Sequence, residues 1–121
     1  MSLHLTPHLL AAAYEYLRAT SPFKGWKLPH ADEVEFGVTR HRDREADHSL
    51  CRRPMEHCIR VSTYKVKTTD AVMQAVAHEM VHAYQDGIVH SGSRRIDHNK
   101  EFARLASRVC RAHGWDVEKF L

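Results

Sequence analysis

The chain has 121 residues and a mass of 14.0 kDa, so residues 1–121 can form one domain around a modest core, but not a catalytic domain plus a separate recognition domain. Hydrophobic residues make up 43% and charged residues 27% of the sequence, which is typical of a soluble globular protein, and no apolar run approaches the roughly 20 residues of a membrane span. The formal net charge of +3 permits contact with nucleic acid without requiring it.

The N-terminus and the cysteines favour an intracellular protein. Residues 1–7 lack a basic leader followed by an apolar stretch, so we expect no secretory signal and a cytoplasmic location. Cys51, Cys58 and Cys110 are too few, and odd in number, for a disulfide framework, so we predict free thiols. The spacing of Cys51 and Cys58 is also a poor match to the tight cysteine pairs of zinc ribbons.

The N-terminal part of the chain predicts a helix followed by a strand. Thr6 and Pro7 form a helix-start signal, and apolar residues then recur at helical spacing, which predicts an amphipathic helix over residues 7–19. Prolines and a glycine in residues 21–29 predict a loop, in which Trp26 is expected to anchor the chain to the core. Apolar and polar residues alternate over residues 34–39, the pattern of a half-buried strand.

The middle of the chain predicts a loop, a second strand and a second helix. Residues 40–57 carry interleaved charges and a proline, so we expect a long exposed loop or a ragged hairpin. Residues 58–66 are rich in β-branched side chains and alternate, which predicts a strand. Thr68, Thr69 and Asp70 offer N-caps for a helix from residue 71 to about residue 86, with Gly87 as its stop.

A last helix is predicted before Gly114, because five apolar residues precede it at helical spacing. These residues are Phe102, Leu105, Ala106, Val109 and Cys110.

The sequence His78-Glu79-Met80-Val81-His82 lies in the middle of the second predicted helix. Residues four apart on a helix point the same way, so His78 and His82 can bind one metal ion, and Glu79 places a general base beside it. The chain has 11 histidines, so the pattern needs its helix and a third ligand to exclude a chance match. The two histidines share their helix face with Ala71, Gln74 and Ala75.

Zinc in a hydrolytic site usually takes three protein ligands and leaves a fourth position for water, so a third ligand is expected downstream. We favour His98, which lies 16 residues after His82 and directly before the last predicted helix. Glu101 is the main rival, because its distance from His82 resembles the spacing in thermolysin-like enzymes, whose third ligand is a glutamate. His90 would need a metzincin-like pattern, whose glycine and third histidine are missing here.

Two stretches resemble the SprT-like (Spartan-type) zinc metalloproteases. They are residues 78–84 and His98-Asn99-Lys100-Glu101-Phe102, where the family usually has His-Gly-x-x-Phe and this chain has Asn99 in place of the glycine. The resemblance implies a small zincin-like α+β domain: an N-terminal helix, a short antiparallel or mixed sheet, a helix with the His-Glu-x-x-His motif and a C-terminal helix. It also implies one Zn²⁺ per chain, held by His78, His82 and His98, with Glu79 as the catalytic residue.

The reaction implied is hydrolysis of peptide bonds in a protein or peptide substrate. Zinc would lower the pKa of its bound water and polarise the scissile carbonyl, while Glu79 accepts the proton of the water and passes it to the leaving amine. Residues 58–66 are the candidate strand for aligning an extended substrate by backbone pairing. Tyr84 is expected to pack against the last helix, with orientation of the site or oxyanion stabilisation as the alternative.

Two other classes of function compete with a peptidase. One is a non-catalytic binding module that keeps zinc for stability, and the other is a small nucleic-acid-binding protein; no membrane partner is expected. A solvated face is the simpler interpretation of the arginines on the polar side of the last helix, but the resemblance raises DNA, or protein bound to DNA, as a candidate substrate environment. These arginines are Arg104, Arg108 and Arg111, close in sequence to Arg94 and Arg95.

Overall fold

The computed structural model describes residues 4–50, 57–85 and 100–121, which form an α+β fold of helices and a three-stranded mixed sheet. The helices and strands are α1 Pro7–Arg18, β1 Val34–Thr39, β2 Ala46–Leu50, β3 His57–Ser62, α2 Thr69–Tyr84, α3 Lys100–His113 and α4 Val117–Phe120. Two short 3-10 turns, Phe23–Gly25 and Ala31–Glu33, lie between α1 and β1.

The three long helices confirm the predicted elements, and two of them begin at the predicted caps. The Thr6 hydroxyl accepts a hydrogen bond from the Leu9 amide before α1, and the Thr68 hydroxyl accepts one from the Ala71 amide before α2. Gly114 ends α3 with a φ of +76°, a left-handed conformation that glycine adopts without strain. The predicted stop of α2, Gly87, lies outside the described residues.

The sheet has the strand order β1-β3-β2, with β1 parallel and β2 antiparallel to β3. The strand predicted over residues 58–66 is therefore central, and it ends at Ser62, where a turn replaces the expected continuation. Because β3 has neighbours on both sides, its backbone cannot pair with a further strand. The prediction that residues 58–66 align a substrate is wrong, and within the described sheet the edge strands are β1 and β2.

Residues 40–57 were predicted to form either a long exposed loop or a ragged hairpin, and the presence of β2, antiparallel to β3, supports the hairpin. Strand β2 pairs with β3 over Ala46↔Val61 to Leu50↔His57. His48 is buried, and its Nε2 lies 2.8 Å from Nδ1 of the buried His57. The charges on either side of this strand concealed its alternation, so the sequence analysis did not identify it.

The core lies between the sheet and the helices. Helix α1 packs against α2 and β1, while α2 contacts β2, β3 and α3. Trp26 is only 4% exposed, which confirms its predicted anchoring role. The largest fully buried apolar side chains include Leu10, Tyr14, Leu17, Phe23, Ile59, Met80 and Phe102. The motif of residues 78–82 therefore lies on a helix that is fixed by packing on several sides.

No helix among the described residues is long and apolar enough to cross a membrane.

Candidate metal centre

Helix α2 brings His78, Glu79 and His82 together as the sequence predicts. His82 is 3% and Glu79 is 4% exposed, whereas His78 is half-buried. The imidazole centroids of His78 and His82 are 5.2 Å apart, with an interplanar angle of 63°. The i, i+4 spacing on a helix produces this arrangement and puts both rings on the same side of α2.

The imidazole of His78 has a fixed hydrogen-bond partner on α4. Its Nδ1 lies 2.7 Å from the backbone carbonyl oxygen of Phe120. A carbonyl can only accept, so Nδ1 carries the proton, and in the neutral ring the lone pair is at Nε2. Nε2 is then the nitrogen suited to a metal.

The aromatic ring of Phe102 on α3 supports both imidazoles. Its centroid lies 4.5 Å from that of His82 in a stacked arrangement and 5.0 Å from that of His78. Phe102 is fully buried. Helix α3 therefore limits the rotation of both candidate ligands.

The Glu79 carboxylate lies beside the nitrogen that would face a metal, with Oε2 3.9 Å from Nε2 of His78. Burial of a carboxylate near such a position suits a general base, because a proton acceptor must lie within reach of the attacking water. His78 and Glu79 both line an open cleft.

The cleft has a volume of about 570 Å³ and three walls. The first wall is one side of α2 and includes His78 with Ala71, Gln74 and Ala75, which were predicted to share its helix face. Residues 43–46, at the start of β2, form the second wall, and residues 119–121 form the third. Such a volume and shape can admit a segment of a larger molecule.

The third ligand remains a prediction. His98 and His90 lie outside the described residues. Glu101 accepts a hydrogen bond of 2.9 Å from Nε2 of the buried Gln85. Within residues 4–50, 57–85 and 100–121, no three histidine, cysteine, aspartate or glutamate side chains come together as a metal-holding group, so Glu101 does not complete one with His78 and His82.

The remaining predicted residues lie elsewhere. Tyr84 stacks on Trp26 with centroids 4.2 Å apart, so it packs as expected, but against the loop after α1 rather than against α3. Cys58 and Cys110 are buried free thiols, as predicted, and Cys51 lies outside the described residues. Burial raises the pKa of Cys110, which favours an inert, protonated thiol.

Three residues with roles near the motif were missed by the sequence analysis. Phe102 was identified only as an apolar position of a helix, although it also lies in the stretch that carries the family resemblance. Gln85 was considered only because it occupies the position where a metzincin-like pattern would have glycine, and nothing in the sequence indicated its hydrogen bond to Glu101. Phe120 contacts His78 through its backbone carbonyl, which no side-chain pattern reveals.

The donor set of the motif fits zinc. Two imidazoles on one helix face, one of them with its lone pair directed to Nε2 by a backbone carbonyl, are typical first ligands of a hydrolytic zinc site.

The profile of the SprT-like family matches residues 14–119, which confirms the resemblance and extends it to nearly the whole chain. No curated protein and no solved structure matches the chain.

Proposed function

The chain belongs to the SprT-like family, and from this premise we propose that it is a zinc-dependent peptidase of the zincin type, with Glu79 as its general base. The family is associated with metallopeptidase-like function and with zinc. The observation that carries the proposal is the buried Glu79 carboxylate, whose Oε2 lies 3.9 Å from Nε2 of His78 and which lines an open cleft together with that imidazole.

We propose His78, His82 and His98 as the residues that hold zinc. The first two lie on one face of α2, and the third is proposed from its spacing and from the family pattern. When bound, zinc supplies positive charge that makes a water molecule more acidic and polarises a carbonyl group.

The protein side chains then move the protons. Glu79 accepts a proton from the water molecule while the oxygen of that water attacks the peptide carbonyl carbon. The same carboxyl group gives that proton to the leaving nitrogen as the C–N bond breaks. Its position 3.9 Å from Nε2 of His78 keeps both transfers next to the candidate metal position.

Strand β2 is the better candidate for aligning an extended substrate. It is an edge strand of the described sheet and packs against α2, and residues 43–46, where it begins, line the cleft. A substrate added to this edge would gain backbone hydrogen bonds while its side chains face the cleft. This assignment replaces the central strand β3.

We further propose that proteins associated with DNA are among its substrates. Lys24, Arg108 and Arg111 line a depression of about 440 Å³ without an acidic residue in its lining, and Arg104 is exposed one turn away on α3. Within the described part of the chain, none of these four cations makes an ion pair. Uncompensated cations on one face are the charge pattern that attracts phosphates.

Glu79→Gln tests the peptidase proposal. The variant keeps the size of the side chain and removes the proton acceptor, so we expect it to retain zinc while hydrolysis of unfolded protein substrates falls below detection. Each protein is assayed with and without DNA, and zinc per chain is measured on the same samples. A wild type that hydrolyses nothing under any of these conditions, or a Glu79→Gln variant as active as wild type, would overturn the proposal. An inert wild type whose stability depends on zinc would indicate the binding module instead.

A further inference from the structure

We propose that α4 is a positioning element that fixes the protonation and orientation of His78 through the backbone carbonyl of Phe120. The statement about His78 concerns the metal-free chain, and its consequence for zinc rests on the proposed function.

The hydrogen bond determines which nitrogen of His78 carries the proton. The distance from Nδ1 to the Phe120 oxygen is 2.7 Å, at the short end of the range for an N–H donor and a carbonyl acceptor. The acceptor cannot reverse its role, because a backbone carbonyl has no proton to give. In the neutral ring, His78 is therefore held with its proton on Nδ1 and its lone pair on Nε2, on the side where Glu79 lies.

The position of this carbonyl depends on how the Phe120 side chain is packed. A helix of four residues has no stability of its own, so α4 must be held by tertiary contacts. Phe120 is buried, and its ring stacks on Trp115 with centroids 6.0 Å apart and lies 5.5 Å from the His78 ring. The carboxylate of Asp116 caps α4 by accepting a hydrogen bond of 3.0 Å from the Glu118 amide.

His78 is thus packed between two aromatic rings from different helices, Phe102 of α3 and Phe120 of α4. Loss of the Phe120 ring removes one of these walls and releases the carbonyl from its position. Partners of this kind commonly change metal affinity by about 10- to 100-fold, because they fix the tautomer and the ring orientation of the ligand.

The test is imidazole ¹⁵N NMR on the metal-free full chain, which reports directly which ring nitrogen carries the proton. In wild type we expect His78 to show a protonated Nδ1 and an unprotonated Nε2. Phe120→Ala should shift His78 toward a mixture of tautomers and weaken zinc binding by about 10- to 100-fold, measured by competition with a chelator. Phe120→Leu loses the ring but keeps an apolar anchor of similar size, so it should shift both measurements in the same direction by less than Phe120→Ala does.

A second variant keeps the test decisive if Phe120→Ala fails to fold. Asp116→Ala removes only the surface cap of α4 and should move the tautomer and the zinc affinity in the same direction by a smaller amount. Its matched control is Glu118→Gln on the exposed side of the same helix, which should change neither. The two readouts also separate this inference from the proposed function. A protonated Nδ1 without zinc binding would refute the metal centre alone.

Two results would overturn the positioning role of α4 while leaving the peptidase proposal intact. One is a neutral wild-type His78 ring that carries its proton on Nε2 instead of Nδ1. The other is a folded Phe120→Ala or Asp116→Ala variant with the wild-type tautomer and the wild-type zinc affinity.

Discussion

Replacement of Glu101 by alanine should destabilise the fold without removing zinc. Gln85 is fully buried, and its Nε2 donates a 2.9 Å hydrogen bond to Oε1 of Glu101. The other polar atom of the Gln85 side chain, Oε1, has no hydrogen-bond partner among the described residues. The bond therefore links the end of α2 to the first turn of α3, the two points between which residues 86–99 run.

The magnitude follows from the burial of Gln85. Glu101→Ala leaves the buried Nε2 without this acceptor, which costs about 1–3 kcal/mol of unfolding free energy. Glu101→Gln keeps an oxygen that can accept the same bond, so it should lose less than about 1 kcal/mol. Gln85→Leu removes the buried donor together with the bond, and it should cost less than Glu101→Ala.

Urea unfolding of the metal-free proteins measures these free energies, and zinc per chain is measured on the same variants after zinc loading. Both Glu101 variants should retain zinc, since Glu101 does not join His78 and His82 in a metal-holding group within the described residues. A Glu101→Ala variant as stable as wild type would refute the role of the hydrogen bond. Loss of zinc in Glu101→Gln would show that Glu101 is the third ligand.

Three further predictions concern the core, the pH dependence and the basic face. Trp26→Ala should lower the unfolding free energy by about 3–5 kcal/mol because Trp26 is buried, whereas Tyr16→Ala, at a side chain 61% exposed, should change it by less than about 0.5 kcal/mol in the same urea titration. Burial lowers the pKa of His113 in the folded chain, so the unfolded chain binds more protons than the folded chain once the pH falls below about 6.5. The free energy of unfolding should therefore decline from pH 7 toward pH 5. The decline should be shallower in His113→Gln, and an equal decline in that variant would contradict this cause. If α3 contacts phosphates, replacing three of its arginines by alanine should make the slope of log binding constant against log NaCl concentration shallower by about 2 to 3. The three arginines are Arg104, Arg108 and Arg111. An unchanged slope would place the phosphate contact elsewhere.

The sequence predicts the local elements best where a cap or a stop lies next to a periodic pattern. Thr6, Thr68 and Gly114 mark three helix ends because their effects act within a few residues of the backbone. Strand β2 was not assigned, because its inward-facing His48 is polar and burial of a histidine depends on a partner, His57, from another strand. The position of β3 at the centre of the sheet likewise depends on pairing that periodicity does not encode.

The candidate site shows the same distinction between local features, which the sequence predicts, and tertiary contacts, which it does not. The spacing of His78, Glu79 and His82 on one helix follows from helical geometry alone, so the sequence predicts their shared face. The partners that orient them come from distant parts of the chain: Phe120 acts through its backbone and Phe102 through its ring. Such contacts depend on tertiary packing, and only the structure supplies them.

Zinc content after loading and removal of excess metal tests the proposed centre most directly, when wild type is compared with His98→Ala and with His90→Ala as the matched control. We predict one zinc per chain in wild type and in His90→Ala, and loss of zinc or a steep fall in affinity in His98→Ala. A wild type without zinc, or a His98→Ala variant that binds zinc as tightly as wild type, would contradict the assignment of His78, His82 and His98 as the zinc ligands.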